Sequence, residues 1–324
     1  MPPVPMGKIV SIEPIGSVNP PEHALASSST DTYIAVSEQG KTTETVPLYA
    51  PGDIWITFLQ KKNNATMDPE DYVMHYAVCK DVFGVVDHLK GLSPEMEKIM
   101  ENYKCPYGGK PGDDNCPVLV LEPVKAGTEL GRVGRLQGNF NFGTWDLRIS
   151  HEYPSPERYG IRSLHSSCPF DYYAEPLKSQ LEEKLQAGRC GTVETYVQDS
   201  LQGEWFFGNA TNKRGGDWFY QLYFGPSNIF SGVQVVSVGG VISEPLKWHI
   251  TPKNEGKINR NFSQVKAGSG IYCYETESGY INYEKGPRGK ILVEVLSNNE
   301  IKAEFQQGSC GSTFAFSDPK TFER

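Results

Sequence analysis

The chain has 324 residues, more than one hydrophobic core usually organises (roughly 250–300 residues), so two domains are expected. A net charge of −8, with 22% charged and 38% hydrophobic residues, excludes a strongly basic nucleic-acid binder, and no apolar run reaches the roughly 18 residues of a membrane helix. With 33 Gly, 23 Pro, 17 Tyr and 15 Phe, the composition favours many short strands and turns over long helices.

Up to about residue 150, short segments rich in β-branched and aromatic residues alternate with Gly, Pro and Asn turns. They are KIVSIEPIG, TYIAVSE, DIWITFLQ, DYVMHYAVC, VLVLEPV and TWDLRIS, several of them alternating apolar and polar at period two. One segment breaks the pattern: Ser93 is a suitable N-cap, Pro94 suits the first helical position, and Met96, Ile99, Met100 and Tyr103 share a helical face, so a helix is expected over 93–103. The polar stretch 151–167 reads as linker. A second helix is expected over Glu175–Ala187, with Leu177, Leu181 and Leu185 spaced by four and Gly188 as its stop. From Cys190 onward the strand pattern returns as EWFFG, DWFYQLYFG, VQVVSVGG, LKWHITP, GIYCYET, YINYEKG, KILVEVLS and EIKAEFQQG, a meander that implies an antiparallel barrel or sandwich. The expected organisation is a first β-domain over 1–150, a linker with a short helix over 151–189, and a second β-domain over 190–324.

Seven cysteines stand at 79, 105, 116, 168, 190, 273 and 310 with no close CxxC pair. In a β-rich chain this favours disulfides and an oxidising, extracytoplasmic setting (secreted, periplasmic or cell surface) over structural zinc. Cys79, Cys105, Cys116, Cys168, Cys190 and Cys310 are the expected disulfide residues, and an odd count leaves at least one cysteine outside an internal pair. The N-terminal MPPVPMGKIV lacks the apolar core of a signal peptide, so export implies a mature form. Sequons occur at Asn64, Asn209 and Asn261.

The most specific segment runs from Val124 to Gly134, with Gly127, Leu130, Gly131 and Gly134 punctuating two short strands where φ > 0 or close backbone approach is needed. It lacks the spacing and βαβ setting of a nucleotide loop. Upstream lies VVDHLKGLS around His88, and downstream FGTWDLRI around Asp146. Near the start, His23 and Asp31 precede YAPGDI. In order and spacing these five segments resemble the LytM-type, M23 peptidase-like domain, which implies a barrel-sandwich hybrid over the first 150 residues. The fold class expected for the whole is therefore mainly β: a LytM/M23-like barrel-sandwich hybrid followed by an antiparallel barrel or sandwich.

The same resemblance implies a degenerate metal site. Members of that family hold zinc with a His and an Asp near the start and the second His of an H-x-H pair; here those last positions carry Asp146 and Arg148. An arginine is a permanent cation that only donates, so it cannot replace a neutral imidazole. His23 and Asp31 stand eight apart where the family has four, and only His88 keeps its family position. No metal and no cofactor is therefore expected, although His75, one strand away, is an alternative ligand. The candidate binding residues are His88, Asp146, Arg148, Trp145, His75 and Asp31. Plainer roles stand beside these: a hydrogen bond within the barrel for His88, a solvated ion pair for Asp146 and Arg148, and loop positions for His23 and Asp31.

In the second domain, Gly203, Glu204 and Trp205 resemble the G-x-W that opens lipocalin-like barrels. A bridge between Cys190 and Cys310 would join the first and last strands of such a barrel. The function expected is that of an exported, non-catalytic protein that binds a glycan, a cell-wall peptide or a protein partner, as in a surface assembly, with no nucleic acid and no transmembrane segment. Two alternatives are a zinc hydrolase of peptide bonds with rearranged ligands, and a carrier of a small apolar ligand in the second barrel.

Overall fold

The computed structural model describes residues 1–37, 44–62, 70–105, 116–134, 138–213, 216–276 and 284–324. The sequon at Asn64 and most of the YINYEKG segment lie outside the described residues. The chain divides into two compact units. The first comprises Met1–Pro14, Asp31–Ser150 and His165–Cys190, and the second Ile15–Thr30, His151–Leu164 and Gly191–Arg324. Both are built from antiparallel strands, as the mainly β class requires.

The boundaries interleave where the sequence reading placed them end to end. Ile15–Thr30 goes with the second unit because its apolar residues, Val18, Leu25 and Ala26, pack with Tyr153, Tyr159, Phe206 and Tyr223. Gly16 (φ +74) lies so close to the Thr192 carbonyl that no Cβ would fit there.

The first unit contains β1 (Ser11–Glu13), β2 (Asp31–Ala35), β3 (Val46–Tyr49), β4 (Ile54–Lys62), β5 (Asp71–Ala77), β6 (Val82–Leu92), β7 (Val118–Val124), β8 (Glu129–Val133), β9 (Asn139–Asp146) and β10 (Ser166–Ser167). The main path runs β1-β2-β9-β6-β5-β4-β7, while β8 pairs with β3 and β6, and β10 with β9. The Val124–Gly134 segment does form two strands around a tight turn, with Gly127 at φ +81. They do not pair as a hairpin: β7 joins β4 and β8 joins β3. Gly131 is required by close approach, since a Cβ there would strike the Gly91 carbonyl.

Alternation gives the sheet two apolar faces. One carries Ile54, Ile56, Met74, Tyr76, Val86, Phe140 and Phe142, which belong to the main core. The other carries Val73, Val85 and Trp145 with Phe58 and Phe83. The expected first helix is present at Pro94–Glu101, with the Ser93 hydroxyl accepting from the Met96 amide and Met96 and Met100 buried. The second is shorter than expected, Leu177–Glu182, yet Leu181 and Leu185 still reach the main core.

The second unit contains β11 (Gly203–Phe206), β12 (Gln221–Pro226), β13 (Gln234–Val238), β14 (Leu246–Ile250), β15 (Tyr272–Glu275), β16 (Lys290–Ser297), β17 (Glu300–Gln306) and β18 (Lys320–Glu323). Strands adjacent in sequence pair, except that β14 and β15 are the two edges, and β18 returns to β11, in the order β14-β13-β12-β11-β18-β17-β16-β15. Lys247 of β14 bridges to Lys285, so this up-and-down sheet is a nearly closed barrel. Trp205, Phe224, Trp248, Phe262, Tyr274 and Phe322, all at most 1% exposed, fill its interior. The first half of DWFYQLYFG is a 3₁₀ turn, Asp217–Tyr220, rather than strand.

Disulfides join Cys105 to Cys116, Cys168 to Cys190 and Cys273 to Cys310. Two expectations are thereby corrected. Cys79 is a free, exposed thiol at the turn between β5 and β6. Cys190 pairs with Cys168, and Cys310 with the previously unassigned Cys273 on β15. Each of these bridges closes within one unit, Cys168 and Cys190 in the first and Cys273 and Cys310 in the second. Three disulfides fit an oxidising compartment. Among the described residues no helix is long and apolar enough to cross a membrane.

Candidate functional site

Strand β6 separates the residues that the sequence reading grouped together. From Val82 to Asp87 it pairs with β9, Val82 opposite Asp146 and Asp87 opposite Asn141. Beyond that, Leu89 and Leu92 pair with β8. On the other edge Tyr72 faces Leu89 and Val73 faces Asp87, which leaves His88 as the extra residue of a β-bulge. His88 adopts φ +66, a left-handed conformation that His tolerates better than most side chains. The bulge turns its Nδ1 to 3.2 Å from an Asp71 oxygen, on a carboxylate with no exposed surface.

Asp87 beside it accepts from the His88 amide (2.8 Å) and from Lys62 Nζ (2.6 Å). Asp71, Asp87 and His88 each offer a ligand atom within 4.8 Å of the others, so this is a place where a cation fits by donor type. It is already an ion-pair network, however, and a metal would have to displace the Lys62 ammonium.

Six rungs along β6 from His88, roughly 20 Å at about 3.3 Å per residue, Asp146 closes β9. Arg148 lies beyond the strand, in a turn. The strand stops at Asp146, whose Oδ1 accepts the Arg148 amide at 3.0 Å. That turn folds the guanidinium back, Nε donating to Oδ1 (2.8 Å) and Nη2 to Oδ2 (2.6 Å). The Asp146 side chain is 4% exposed and that of Arg148 60%. Arg148 therefore neutralises a buried carboxylate and holds it far below the usual carboxylate range. Tyr172 adds a bond from its hydroxyl to Asp146 Oδ2 at 2.8 Å, and burial raises that phenol's pKa.

Trp145, adjacent to Asp146, points to the opposite face of the sheet, as neighbouring strand residues must. There it stacks on Phe83 (5.6 Å between centroids) and meets the edge of His75 (5.8 Å), which lies 4.8 Å from Phe58. Asp31 shares that face. Its carboxylate accepts from Asn141 Nδ2 at 3.2 Å and lies over Gly143, where any Cβ would collide with it. His23 belongs to the second unit, where its Nδ1 lies 3.1 Å from the Ser28 carbonyl. The candidate residues thus fall into three places: His88 with Asp71, Asp146 with Arg148, and Asp31, His75 and Trp145 on the reverse face.

No family model matches this chain, and no curated protein or solved structure matches it either. The geometry alone must carry the assignment.

On the core face, the end of the sheet near Asp146 opens into a small cleft of about 80 Å³. Ile54, Tyr76, Val82, Phe142 and Thr144 form the sheet side, and Pro169, Tyr172 and Tyr173 the other wall. The Cys168–Cys190 disulfide anchors the 169–173 turn, and Phe170 fixes it in the core at 0% exposure. The Tyr173 hydroxyl is buried and has no hydrogen-bond partner among the described residues, and burial puts its pKa well above the ordinary phenol value. Sequence reasoning singled out Asp146 and Arg148, which Tyr172 joins to this cleft, but not Tyr172 or Tyr173 themselves. The only sequence signal was the CPFDYY string after the linker.

Proposed function

We propose that this chain is an exported binding protein, without catalytic activity, whose first unit takes a glycan, a cell-wall peptide or a protein partner as part of a surface assembly. The observation that carries this is the bidentate Asp146–Arg148 pair, joined to the cleft through the Tyr172 hydroxyl. Both carboxylate oxygens are committed to a permanent cation and to Tyr172, so this position offers neither a metal ligand nor a proton acceptor at neutral pH.

The zinc-hydrolase alternative needs three ligands at one point; among the described residues Asp71, Asp87 and His88 come together in that way, and a metal there would compete with the Lys62 ammonium already paired to Asp87. The carrier alternative needs an apolar cavity in the second unit, whose interior is filled by aromatic side chains. The LytM/M23-like origin of the first unit remains part of the proposal, supported by the order of its sequence segments.

Metal analysis of the purified chain, with a hydrolysis assay on peptidoglycan and a binding assay on peptidoglycan fragments and surface glycans, tests the reading. Binding without hydrolysis is expected. Stoichiometric zinc, with hydrolysis that is lost in His88→Ala, would overturn it.

A further inference from the structure

We propose that the cleft at the end of β9 binds the C-terminal residue of a peptide, its apolar side chain between the sheet and the Pro169–Tyr173 turn and its α-carboxylate on Arg148. This rests on the reading of the first unit as a binding module and names the chemistry it selects.

Three features of the cleft point to that ligand. The first is its lining. Ile54, Val82 and Phe142 with the Tyr76 ring make an apolar floor, which rewards burial of a hydrocarbon group and offers nothing to a fully hydroxylated surface.

The second is the Tyr173 hydroxyl. That hydroxyl is sealed from solvent without a partner among the described residues, so a turn of the Tyr173 side chain toward the cleft it lines would let a polar atom of the ligand restore the missing bond. The ligand should therefore carry a hydrogen-bonding group next to its apolar part, as a peptide unit does.

The third is the charge beside Tyr172. Asp146 takes Nε and one side of Nη2 of Arg148 and shares that second oxygen with the Tyr172 hydroxyl, so the guanidinium is held beside the cleft wall while Nη1 has no partner among the described residues on a side chain that is 60% exposed. A guanidinium edge pre-set by a buried carboxylate matches a second, ligand carboxylate at little ordering cost. Tyr172 connects the two parts: its ring lines the cleft and its hydroxyl holds Asp146. A small arylcarboxylate presents the same chemistry, so the test separates the two sources.

Hexapeptides ending in Phe, Leu, Ser or Asp, each as free acid and C-terminal amide, are titrated into the full chain by calorimetry, with N-acetylphenylalanine as the small-molecule arm. The free acids ending in Phe or Leu should bind at least tenfold more tightly than their amides and than the Ser and Asp peptides. Arg148→Gln should abolish the acid-over-amide preference, and Tyr173→Phe should weaken acid and amide alike by severalfold. Since Arg148→Gln strands a buried carboxylate, the double variant Asp146→Asn with Arg148→Gln supplies a neutral pair for the same comparison.

Equal binding of acid and amide, or a preference surviving in both variants, overturns the inference. N-acetylphenylalanine binding as tightly as the peptides overturns the peptide assignment in favour of a small carboxylate. Peptidoglycan or glycan binding that persists with no response to any free carboxylate also overturns this inference, but leaves the binding-protein reading standing. Loss of every binding activity removes that reading itself.

Discussion

The Arg324 guanidinium lies 4.1 Å from the centroid of the Trp205 ring, with Tyr196 on it at 4.6 Å, so a cation is sandwiched between aromatic faces at one end of the second barrel. It is fully engaged, donating to the carbonyls of Ser200, Gln202 and Asn298 at 2.9, 3.2 and 2.6 Å. Trp205 in turn donates from Nε1 to the Leu201 carbonyl at 2.9 Å. One residue thus ties the stretch before β11 to the β16–β17 turn and to β18.

Arg324→Ala should therefore cost the second unit about 3 kcal/mol, combining a desolvated cation–π contact with lost charge-assisted hydrogen bonds. Arg324→Lys should recover less than half, because an ammonium cannot reach three carbonyls in one plane and stack as well. Urea unfolding followed by tryptophan fluorescence measures both. A loss below about 1 kcal/mol in the Ala variant would show that the sandwich is incidental.

Glu204, between Gly203 and Trp205, is 5% exposed. Its carboxylate accepts from the Ser27 amide (2.7 Å) and hydroxyl (2.5 Å), and Ser27 is held in turn by Asn212 and Ser163. Burial outweighs these donors and pushes its pKa up to about 7. Since the folded value is the higher, the folded state keeps a proton that the unfolded chain gives up above about pH 4.5. This group's contribution to stability is most favourable below that pH. It falls by roughly 3 kcal/mol as pH rises to about 7 and is level beyond. Glu204→Gln should flatten that decline, which urea melts at pH 5, 6, 7 and 8 would register. Parallel curves for the two proteins would refute the assignment.

His88 combines a left-handed backbone with a bond to the buried Asp71. Asn at this position tolerates the backbone and can still donate, Gly relieves the strain but donates nothing, and Ala does neither. The cost should rise in that order, reaching roughly 2 kcal/mol for His88→Ala. If His88→Gly proved more stable than the parent, backbone strain would outweigh the Asp71 bond. Equal losses in all three variants would mean that neither matters. Chemical denaturation of the set separates these outcomes.

How far the chain reveals itself depends on the range of the interaction involved. Local signals were legible: Ser93 with Pro94 starts a helix, and the alternation in Lys290–Leu296 marks a strand facing one core. The Glu204–Ser27 and Arg324–Trp205 contacts were not, because each joins positions more than a hundred residues apart. The same limit applies to Ile15–Thr30, whose place in the second unit follows from Val18, Leu25 and Ala26 packing with distant aromatics such as Phe206 and Tyr223. At the candidate site, Asp146 and Arg148 could be picked out as a pair. Their separation from His88 could not, because it follows from which rungs of β6 face β9 and from the bulge at His88. Trp145 and Asp146 were both named as binding residues although strand alternation alone sends them to opposite faces. That was an inference the sequence did permit.

Cys79 gives the last prediction. With three disulfides closed, it is the one free thiol, and it is exposed at the β5–β6 turn whose flanking Val78 and Val82 line the cleft. Ellman's reagent should titrate one thiol in the native protein and still one after denaturation without reductant. Cys79→Ser should change stability by no more than about 0.5 kcal/mol, because the side chain makes no core contact. The same variant, reduced and denatured, should show six thiols, the number in the three bridges. A ligand seated between Val82 and Tyr172 should also slow the reaction at Cys79, so the native thiol doubles as a reporter of occupancy. A native count of three or more would break the disulfide map. A count of zero would show that Cys79 is bonded to another molecule in the isolated protein.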